Sequence, residues 1–306
     1  MEVINLNEVR CVRISCYRLA GKLAGEAISL HDVIVMAPPK PEHLLAALGM
    51  EHADFGFRSG DRGTMTSRTM MLAELEAILD VVPPEASRQR YAAAIVEENA
   101  AGKRTASSRR LTNQRLGELY GLSPEIPIFR VMRLLWDIDS DSRPLLAMLC
   151  ALARDPLLRA TAPAVLGLQT GVELSRQSVA DAVRDAVGDR LNDSTLDKVV
   201  RNSSSSWTQS GHLAGRVRKL RRRVDATPVT VTFALVLGYF LGLRGEQLFS
   251  TLWAATLDRD EDEMAFLAMD AKRHGLLNLQ RGGGVTSIDL SPLLTKDELR
   301  ACHGTH

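Results

Sequence analysis

The chain has 306 residues, of which 45% are hydrophobic and 25% charged, and its formal net charge is +1. This composition is typical of a globular protein with one large or two modest domains. Aromatic residues make up only 5%, which favours helices over sheets. The balanced total charge excludes a chain that is basic throughout, so any strongly basic region must be local.

The first 64 residues differ from the rest because Pro and Gly interrupt them and no long hydrophobic period appears. We predict a weakly ordered N-terminal extension over residues 1–64, with a small strand-containing subdomain as the alternative. The first 25 residues contain no continuous apolar run, so we predict no signal peptide. We therefore expect a cytoplasmic protein.

Helical periodicity begins near residue 69, where Leu72, Leu75, Ile78, Leu79 and Val82 recur at spacings of three and four. Further helices are predicted at about 85–102, 108–120, 126–136, 143–152 and after 156. Short turns separate these segments, and Pro or Gly marks most of the helix ends. The sequence therefore predicts a helical bundle domain over residues 65–172.

The next region, residues 173–298, predicts helices at about 174–187, 194–209, 228–241, 246–257 and 260–274. Two short alternating runs around Gly282, Gly283 and Gly284 then predict a β-hairpin. Helices followed by a hairpin are the order of a winged-helix unit. The expected fold is mainly α: a helical bundle followed by one or two winged-helix-like units, a short C-terminal β-hairpin and a flexible tail over residues 299–306.

One apolar segment, Val229 to Leu243, raises the question of a membrane span. It has about 15 residues, fewer than the roughly 20 that cross a bilayer. Pro228 and Asp225 stop its extension towards the N-terminus. We interpret it as a buried core helix and expect no membrane partner.

The most informative segment runs from Lys198 to Val224 and is called the basic segment below. It contains eight Lys or Arg residues and no Asp or Glu. Leu213, Val217, Leu220 and Val224 follow the period of a helical face, which predicts a helix with arginines on its wet sides. A wing strand is the other possibility.

A basic segment rich in hydroxyl groups suits a phosphate backbone, and a solvated face or an acidic partner is the alternative. Ser203 to Ser206 and Thr208 offer small donors. Trp207 is expected in the core by its spacing, with stacking on a base as the functional alternative. The predicted contacts are Lys198, Arg201, Ser205, Trp207, Arg216, Arg218, Lys219, Arg221, Arg222 and Arg223.

A second, smaller basic patch consists of Lys103, Arg104, Arg109 and Arg110. A phosphate-binding loop of the Walker type is rejected, since Arg104 replaces the required Ser or Thr and a helix precedes. Two interpretations remain open: a helix start that binds phosphate, and an ordinary basic turn.

No pattern predicts catalysis or a metal site. The histidines are scattered, no nucleophile or paired-carboxylate signature appears, and the four cysteines lack the spacing of a zinc site. We expect a protein that is not an enzyme and has no cofactor.

Four segments together resemble the BrxA family of BREX bacteriophage-defence systems. They read YAAAIVEENAAGKRTASSRRL, LLAMLCALARDPLL, STLDKVVRNSSSSWTQSGHL and AKRHGLLNLQRGGGVTSIDL. The resemblance covers about residues 68–295, its motifs are diffuse, and residues 1–64 depart from it. It implies a cytoplasmic, mostly helical DNA-binding protein with a part similar to the antitermination factor NusB.

The leading hypothesis is a non-enzymatic accessory protein that binds double-stranded DNA through its phosphates, alongside other BREX proteins. Two alternatives stay open. The basic segment could dock on an acidic protein partner, or the chain could be an RNA-binding factor of the NusB type.

Overall fold

The structure is a computed structural model that describes residues 50–283 and 285–303. The predicted N-terminal extension lies outside the described residues as far as residue 49. Residues 50–64 do not extend from the fold, which corrects that part of the prediction. Met50–Phe55 is a 3-10 helix. Phe55 and Phe57 are buried, and the Phe55 ring stacks on Phe240 with 4.6 Å between centroids.

Thirteen α-helices occur in the described part of the chain, and they confirm the prediction of a mainly α fold. The first seven precede the first hairpin unit: α1 Leu72–Leu79, α2 Arg88–Val96, α3 Ala106–Tyr120, α4 Pro127–Trp136, α5 Arg143–Arg154, α6 Pro156–Ala160 and α7 Ala162–Leu166. The other six are α8 Arg176–Val187, α9 Asp193–Gln209, α10 Pro228–Phe240, α11 Leu252–Thr256, α12 Glu261–Arg273 and α13 Lys296–His303.

Local side-chain bonds define several helix ends. Thr105 and Ser108 form a capping box at the start of α3. Asp260 and Glu263 form another at the start of α12, whose first turn is acidic, as the helix dipole favours. Proline occupies the first turn of α4 and α10, where its missing N–H leaves no bond unmade.

The core is centred on α10, in which every residue from Val229 to Phe240 is buried. This helix packs against α4 and α5 on one side and against α11 and α12 on the other. One core therefore crosses the domain boundary predicted at residues 172 and 173. Among the described residues, no helix has both the length and the hydropathy that a membrane span requires.

Two antiparallel hairpins complete the fold. In the first, β1 (Leu213–Ala214) pairs with β2 (Leu220–Arg221). In the second, β3 (Asn278–Gly282) pairs with β4 (Val285–Asp289), which confirms the predicted C-terminal hairpin. The helix predicted through residues 213–224 is wrong. Gly215 has a φ of +108°, which interrupts a helix and suits a tight turn.

Each hairpin follows two helices. The first unit contains α8, α9, β1 and β2, and Glu173 ahead of α8 makes an antiparallel bridge to Leu220. The second unit contains α11, α12, β3 and β4. This order of helices and hairpin is the one expected of winged-helix units.

The C-terminal residues also pack on the fold. Residues 299–303, predicted as part of a flexible tail, belong to α13. Arg244 donates to the carbonyl oxygen of Cys302 at 2.8 Å, and Arg130 forms an ion pair with Glu298. These contacts correct the tail prediction up to residue 303.

Candidate nucleic-acid interface

The first hairpin projects a five-residue turn, Gly215 to Lys219, called the hairpin tip below. A Cβ atom at Gly215 would stand 2.0 Å from the carbonyl oxygen of Arg218, so only glycine fits this turn. On its outer edge β2 bonds to the segment before α8. The amide of Leu174 donates to the carbonyl oxygen of Lys219, and the amide of Arg221 to that of Val172, both at 2.8 Å. The base of the tip is thus held from two sides.

The tip presents cations and one apolar side chain to solvent. Val217 is 90% exposed, and Arg216 and Arg218 flank it. Arg218 contacts Glu173 at 2.8 Å across an exposed ion pair, which contributes little and is easily exchanged. Arg216 has no hydrogen bond or ion pair with any residue that the structure describes. The tip is therefore a cationic surface with one arginine wholly available.

Helix α9 continues this surface. Ser194, Lys198, Arg201, Ser205 and Thr208 follow one another at spacings of four and three, which places them in one row along the helix. Lys198 and Arg201 are exposed, and Ser205 and Thr208 are half-buried. The structure therefore brings the predicted residues Lys198, Arg201 and Ser205 onto one helix face.

Lys219 joins the tip to α9, because its ammonium group donates to the Thr208 hydroxyl at 2.7 Å. Burial lowers the pKa of Lys219 from its ordinary value. Asp193 and Asp197 also lie on the exposed side of α9, and Arg201 is 3.8 Å from Asp197, which also pairs with Arg176. The row is thus basic but not uniformly so.

Trp207 lies in the core, as its spacing indicates, and the stacking alternative is wrong. It has no solvent exposure, and its indole N–H donates to the Thr161 hydroxyl at 2.8 Å. Its ring meets the His212 ring edge to face with 4.8 Å between centroids. A base cannot reach this side chain in the folded protein.

Most of the serine run has a packing role. Ser203, Ser204 and Ser206 are buried, so they cannot donate to phosphate as expected. The Ser206 hydroxyl donates to the carbonyl oxygen of Asn202 and accepts the Met70 amide, both at 2.8 Å. Small side chains here let α9 approach the chain at residues 64–70. Ser205 alone of the four stays partly accessible.

Arg221 is buried and corrects another predicted contact. It is 3% exposed and forms an ion pair with Asp258, whose side chain is 13% exposed. It also donates to the carbonyl oxygen of Val165 at 3.1 Å. Because its donors are used inside the fold, Arg221 connects the first hairpin to the turn before α12 and does not face a ligand.

The next two arginines differ from each other. Arg223 pairs with Glu263 of α12 at 2.5 Å and also donates to the carbonyl oxygen of Asp258 at 3.0 Å, so its side chain is held against the second unit. The side chain of Arg222 is exposed and makes no contact of this kind with the described residues. Of the predicted arginines beyond the tip, Arg222 is the available one.

His212 supports the hairpin from below. Nε2 lies 2.7 Å from the carbonyl oxygen of Thr256, so Nε2 carries the proton, and Nδ1 accepts the Ser210 hydroxyl at 2.8 Å. Burial lowers the pKa of His212 from 6.5 to about 4. The ring is therefore neutral at physiological pH, and its role is structural.

The second basic patch also contains both arginine or lysine residues with partners inside the fold and exposed arginines without them. Lys103 pairs with Glu74 at 2.6 Å, and Arg109 donates to the carbonyl oxygen of Val96 at 3.3 Å. Arg104 and Arg110 are exposed and have no such partner within residues 50–283 or 285–303. Two of the four predicted residues thus hold α1, α2 and α3 together, which favours the interpretation as a basic turn.

The described residues contain no group of three or more His, Cys, Asp or Glu side chains that could hold a metal ion. Cys150 and Cys302 are buried, and burial raises the pKa of Cys150 to about 12 and that of Cys302 to about 11. Both thiols are protonated at neutral pH and are poor nucleophiles.

The cationic surface of the first unit is therefore smaller than the basic segment. It consists of Lys198, Arg201, Ser205, Arg216, Arg218, Lys219 and Arg222, with Val217 at its tip. The glycines at positions 211 and 215, both with positive φ, are the sequence signal that could have favoured the hairpin over the predicted helix. No signal in the basic segment alone separates Arg221 from its neighbours, since its partner Asp258 is 37 residues away. A scan against protein-family models found no match, and a search of curated proteins found none either.

Proposed function

We propose that the chain is a non-enzymatic protein that binds double-stranded DNA mainly through the phosphate backbone. One observation carries the proposal: the exposed row on α9 and the hairpin tip form one cationic surface, joined by the contact of Lys219 with Thr208. A helix beside a basic wing is the arrangement that reads or follows a duplex in winged-helix proteins.

The dimensions suit B-form DNA. The 17 residues of α9 span about 25 Å, and a major groove about 12 Å wide admits a helix. With α9 in the groove, Lys198 and Arg201 would meet phosphates, and the tip would lie over the adjacent backbone or minor groove. Arg216, Val217 and Arg218 suit a minor groove, where arginine follows the negative potential and an apolar side chain fits against sugars.

Duplex DNA is favoured over duplex RNA by the same geometry. The major groove of an A-form helix is too deep and narrow for side chains to read. Recognition by the exposed face of a helix therefore points to B-form DNA. Few side chains here are suited to base edges, so we expect affinity without strong sequence preference.

The resemblance to BrxA proteins supports a role in BREX-type anti-phage defence, in the cytoplasm and alongside other proteins of that system. If the DNA surface serves that role, loss of its arginines should abolish phage restriction in cells that carry the complete system. Restriction unchanged by a variant that no longer binds DNA would separate the two parts of the proposal.

The decisive experiment is a salt titration of duplex binding, with fluorescence anisotropy as the readout. The variant Arg216→Gln/Arg218→Gln/Arg222→Gln removes three exposed cations of the first unit. Removal of three phosphate contacts should flatten the slope of log affinity against log salt by about 2 to 3. A matched control, Arg273→Gln/Arg281→Gln/Arg300→Gln, removes the same charge from exposed sites of the C-terminal region.

The control should leave the slope within about 0.5 of the wild type, because its residues lie off the proposed surface. Equal losses in both variants would mean that net charge alone drives binding. No binding of duplex by the wild type at physiological salt would overturn the proposal and favour an acidic protein partner. Stronger binding to single-stranded RNA would favour the NusB-type alternative.

A further inference from the structure

An open cleft of about 520 Å³ lies apart from the hairpin tip. Its walls come from the segment before α1, from the last turns of α3 and from Arg190 and Leu191 in the α8–α9 connection. It is lined by Arg58, Asp61, Arg62, Gly63, Thr66, Arg115, Glu118, Arg190 and Leu191.

The cleft has an excess of positive charge, since four arginines face two carboxylates. Arg190 forms an ion pair with Asp61, and Arg115 lies 2.7 Å from Glu118. These pairs account for both carboxylates. Arg58 and Arg62 therefore provide two cations with no carboxylate partner among the residues described.

The Glu118 carboxylate stays ionised and fully engaged. It accepts hydrogen bonds from Thr64 at 3.1 Å, Gln114 at 3.0 Å and Arg115 at 2.7 Å. Burial alone would raise the pKa of Glu118, but the bonds from Arg115, Gln114 and Thr64 outweigh it and hold this pKa below the usual value. Glu118 therefore has little capacity left to neutralise Arg58, which bonds instead to the Glu118 carbonyl oxygen at 3.1 Å.

Buried groups fix the loop that carries Arg58 and Arg62. Arg159 donates to the carbonyl oxygen of Arg58 at 2.8 Å, and the buried Asp155 accepts the Thr64 amide at 2.5 Å. A Cβ atom at Gly63 would stand 2.2 Å from Asp155, so glycine is needed for this close approach. The cleft is therefore formed before any ligand arrives.

These features specify a ligand class. Two guanidinium groups without a carboxylate partner suit an oxyanion with several acceptor oxygens, and phosphate matches the planar fork of donors that each guanidinium group presents. The volume falls in the range of small-ligand sites. No aromatic side chain lines the cleft. We propose that the cleft is a phosphate-binding site, in which Arg58 and Arg62 hold the phosphate.

A phosphate group could reach the cleft from two sources: a free phosphate compound, or the backbone of a bound duplex that extends beyond the start of α9. Recognition of the group is the same in both cases. The site does not rest on the proposed function, because a free anion can be tested with no DNA present.

The first measurement is calorimetric titration of the full chain with inorganic phosphate, pyrophosphate and ATP. We expect Arg58→Gln/Arg62→Gln to weaken binding of these anions at least about tenfold, as loss of charged hydrogen bonds implies. The single variant Arg62→Gln should act in the same direction. Arg62 is exposed, so its replacement tests the site without the loss of packing that follows replacement of the half-buried Arg58.

The matched control is Arg273→Gln, which removes an exposed arginine at the end of α12 that does not line the cleft. Arg273→Gln should leave anion binding within about twofold of the wild type. The second measurement repeats the duplex titration with Arg62→Gln, whose salt slope should fall by about 1 if the backbone occupies the cleft.

The outcomes separate the sources. Anion binding that duplex displaces, or a lower salt slope in Arg62→Gln, assigns the cleft to nucleic-acid phosphate. Anion binding that survives saturation with duplex assigns it to a free compound. If neither the anion affinity nor the duplex salt slope of Arg62→Gln differs from that of Arg273→Gln, the cleft is not a phosphate site. Failure of duplex binding in the wild type leaves the calorimetric test intact.

Discussion

The two hairpin units share an order of elements but differ in charge. The first exposes Lys198 and Arg201 on the helix before its hairpin, and its turn carries Arg216 and Arg218. The second begins the corresponding helix with Glu261, Asp262 and Glu263 and exposes Phe266 to 68%. Topology alone therefore does not predict a nucleic-acid surface. The charge of the residues on the solvent side of the helix determines whether a unit can bind a phosphate backbone.

The units also neutralise each other where they meet. Arg221 at the end of the first hairpin pairs with Asp258, and Arg223 pairs with Glu263. Two arginines of the basic segment therefore serve the contact between units. The surface left for a ligand is the part of the segment that the second unit does not neutralise.

The largest effect on this comparison should come from breaking the contact between units. Arg221→Gln leaves Asp258 buried without its cation, which should lower the free energy of unfolding by about 3–5 kcal/mol. Arg223→Gln breaks an exposed pair and should cost about 0–1 kcal/mol. Urea denaturation measures both. Similar losses in the two variants would contradict the buried position of Arg221.

The two hairpin turns should differ less, in the free energy of unfolding that is lost when their glycine is replaced by alanine. Gly215→Ala places a methyl group against the Arg218 carbonyl at a φ of +108° and should cost at least about 2 kcal/mol. Gly283 also has a positive φ, but nothing lies within 4 Å of its Cβ position, so Gly283→Ala should cost about 1 kcal/mol. Thermal unfolding of both variants tests the ranking, and equal shifts would mean that the first turn is not tight.

A third difference between the units appears only below neutral pH and concerns the histidine that follows each helix. His212 is buried with its pKa lowered to about 4, whereas His274 is exposed. Below pH 6.5 the unfolded chain binds a proton at His212 that the folded chain does not bind. Stability is therefore lost as pH falls from about 6.5 towards about 4, by about 2 kcal/mol between pH 7.5 and 5.

Denaturation of His212→Gln at pH 7.5 and pH 5 should show that this loss of unfolding free energy between the two pH values has disappeared. The variant should also be less stable than the wild type at pH 7.5. His274→Gln serves as the control and should keep the dependence of the wild type. A pH dependence that persists undiminished in His212→Gln would show that another group causes it.

Much of the fold was predictable because its signals are local. Pro127 and Pro144 mark helix starts, Thr105 and Gly121 bound α3, and the glycines after β3 mark the second hairpin. For the first hairpin the sequence favoured a helix and kept a wing strand only as the alternative, because Leu213, Val217, Leu220 and Val224 follow a helical period. Val217 in fact lies at the tip in solvent, and a positive φ at Gly215 decided against the helix.

The site was only partly predictable, because whether an arginine can contact a ligand depends on partners that are distant in the sequence. Arg216 and Arg221 look alike in the basic segment, yet Arg221 forms an ion pair with Asp258 and Arg216 does not. Trp207 and the buried serines are polar or aromatic residues whose environment comes from Thr161 and Met70. The cleft around Arg58 joins three separated segments, and its first part lies where the sequence predicted weak order.

The support beneath the hairpin tip has a consequence for how a ligand would associate. Backbone bonds to Val172 and Leu174 hold one edge of β2, and β1 holds the other. Binding should then order side-chain rotamers without folding a loop. We expect a small change in heat capacity on association and an encounter rate that depends steeply on ionic strength, as for a rigid charged surface.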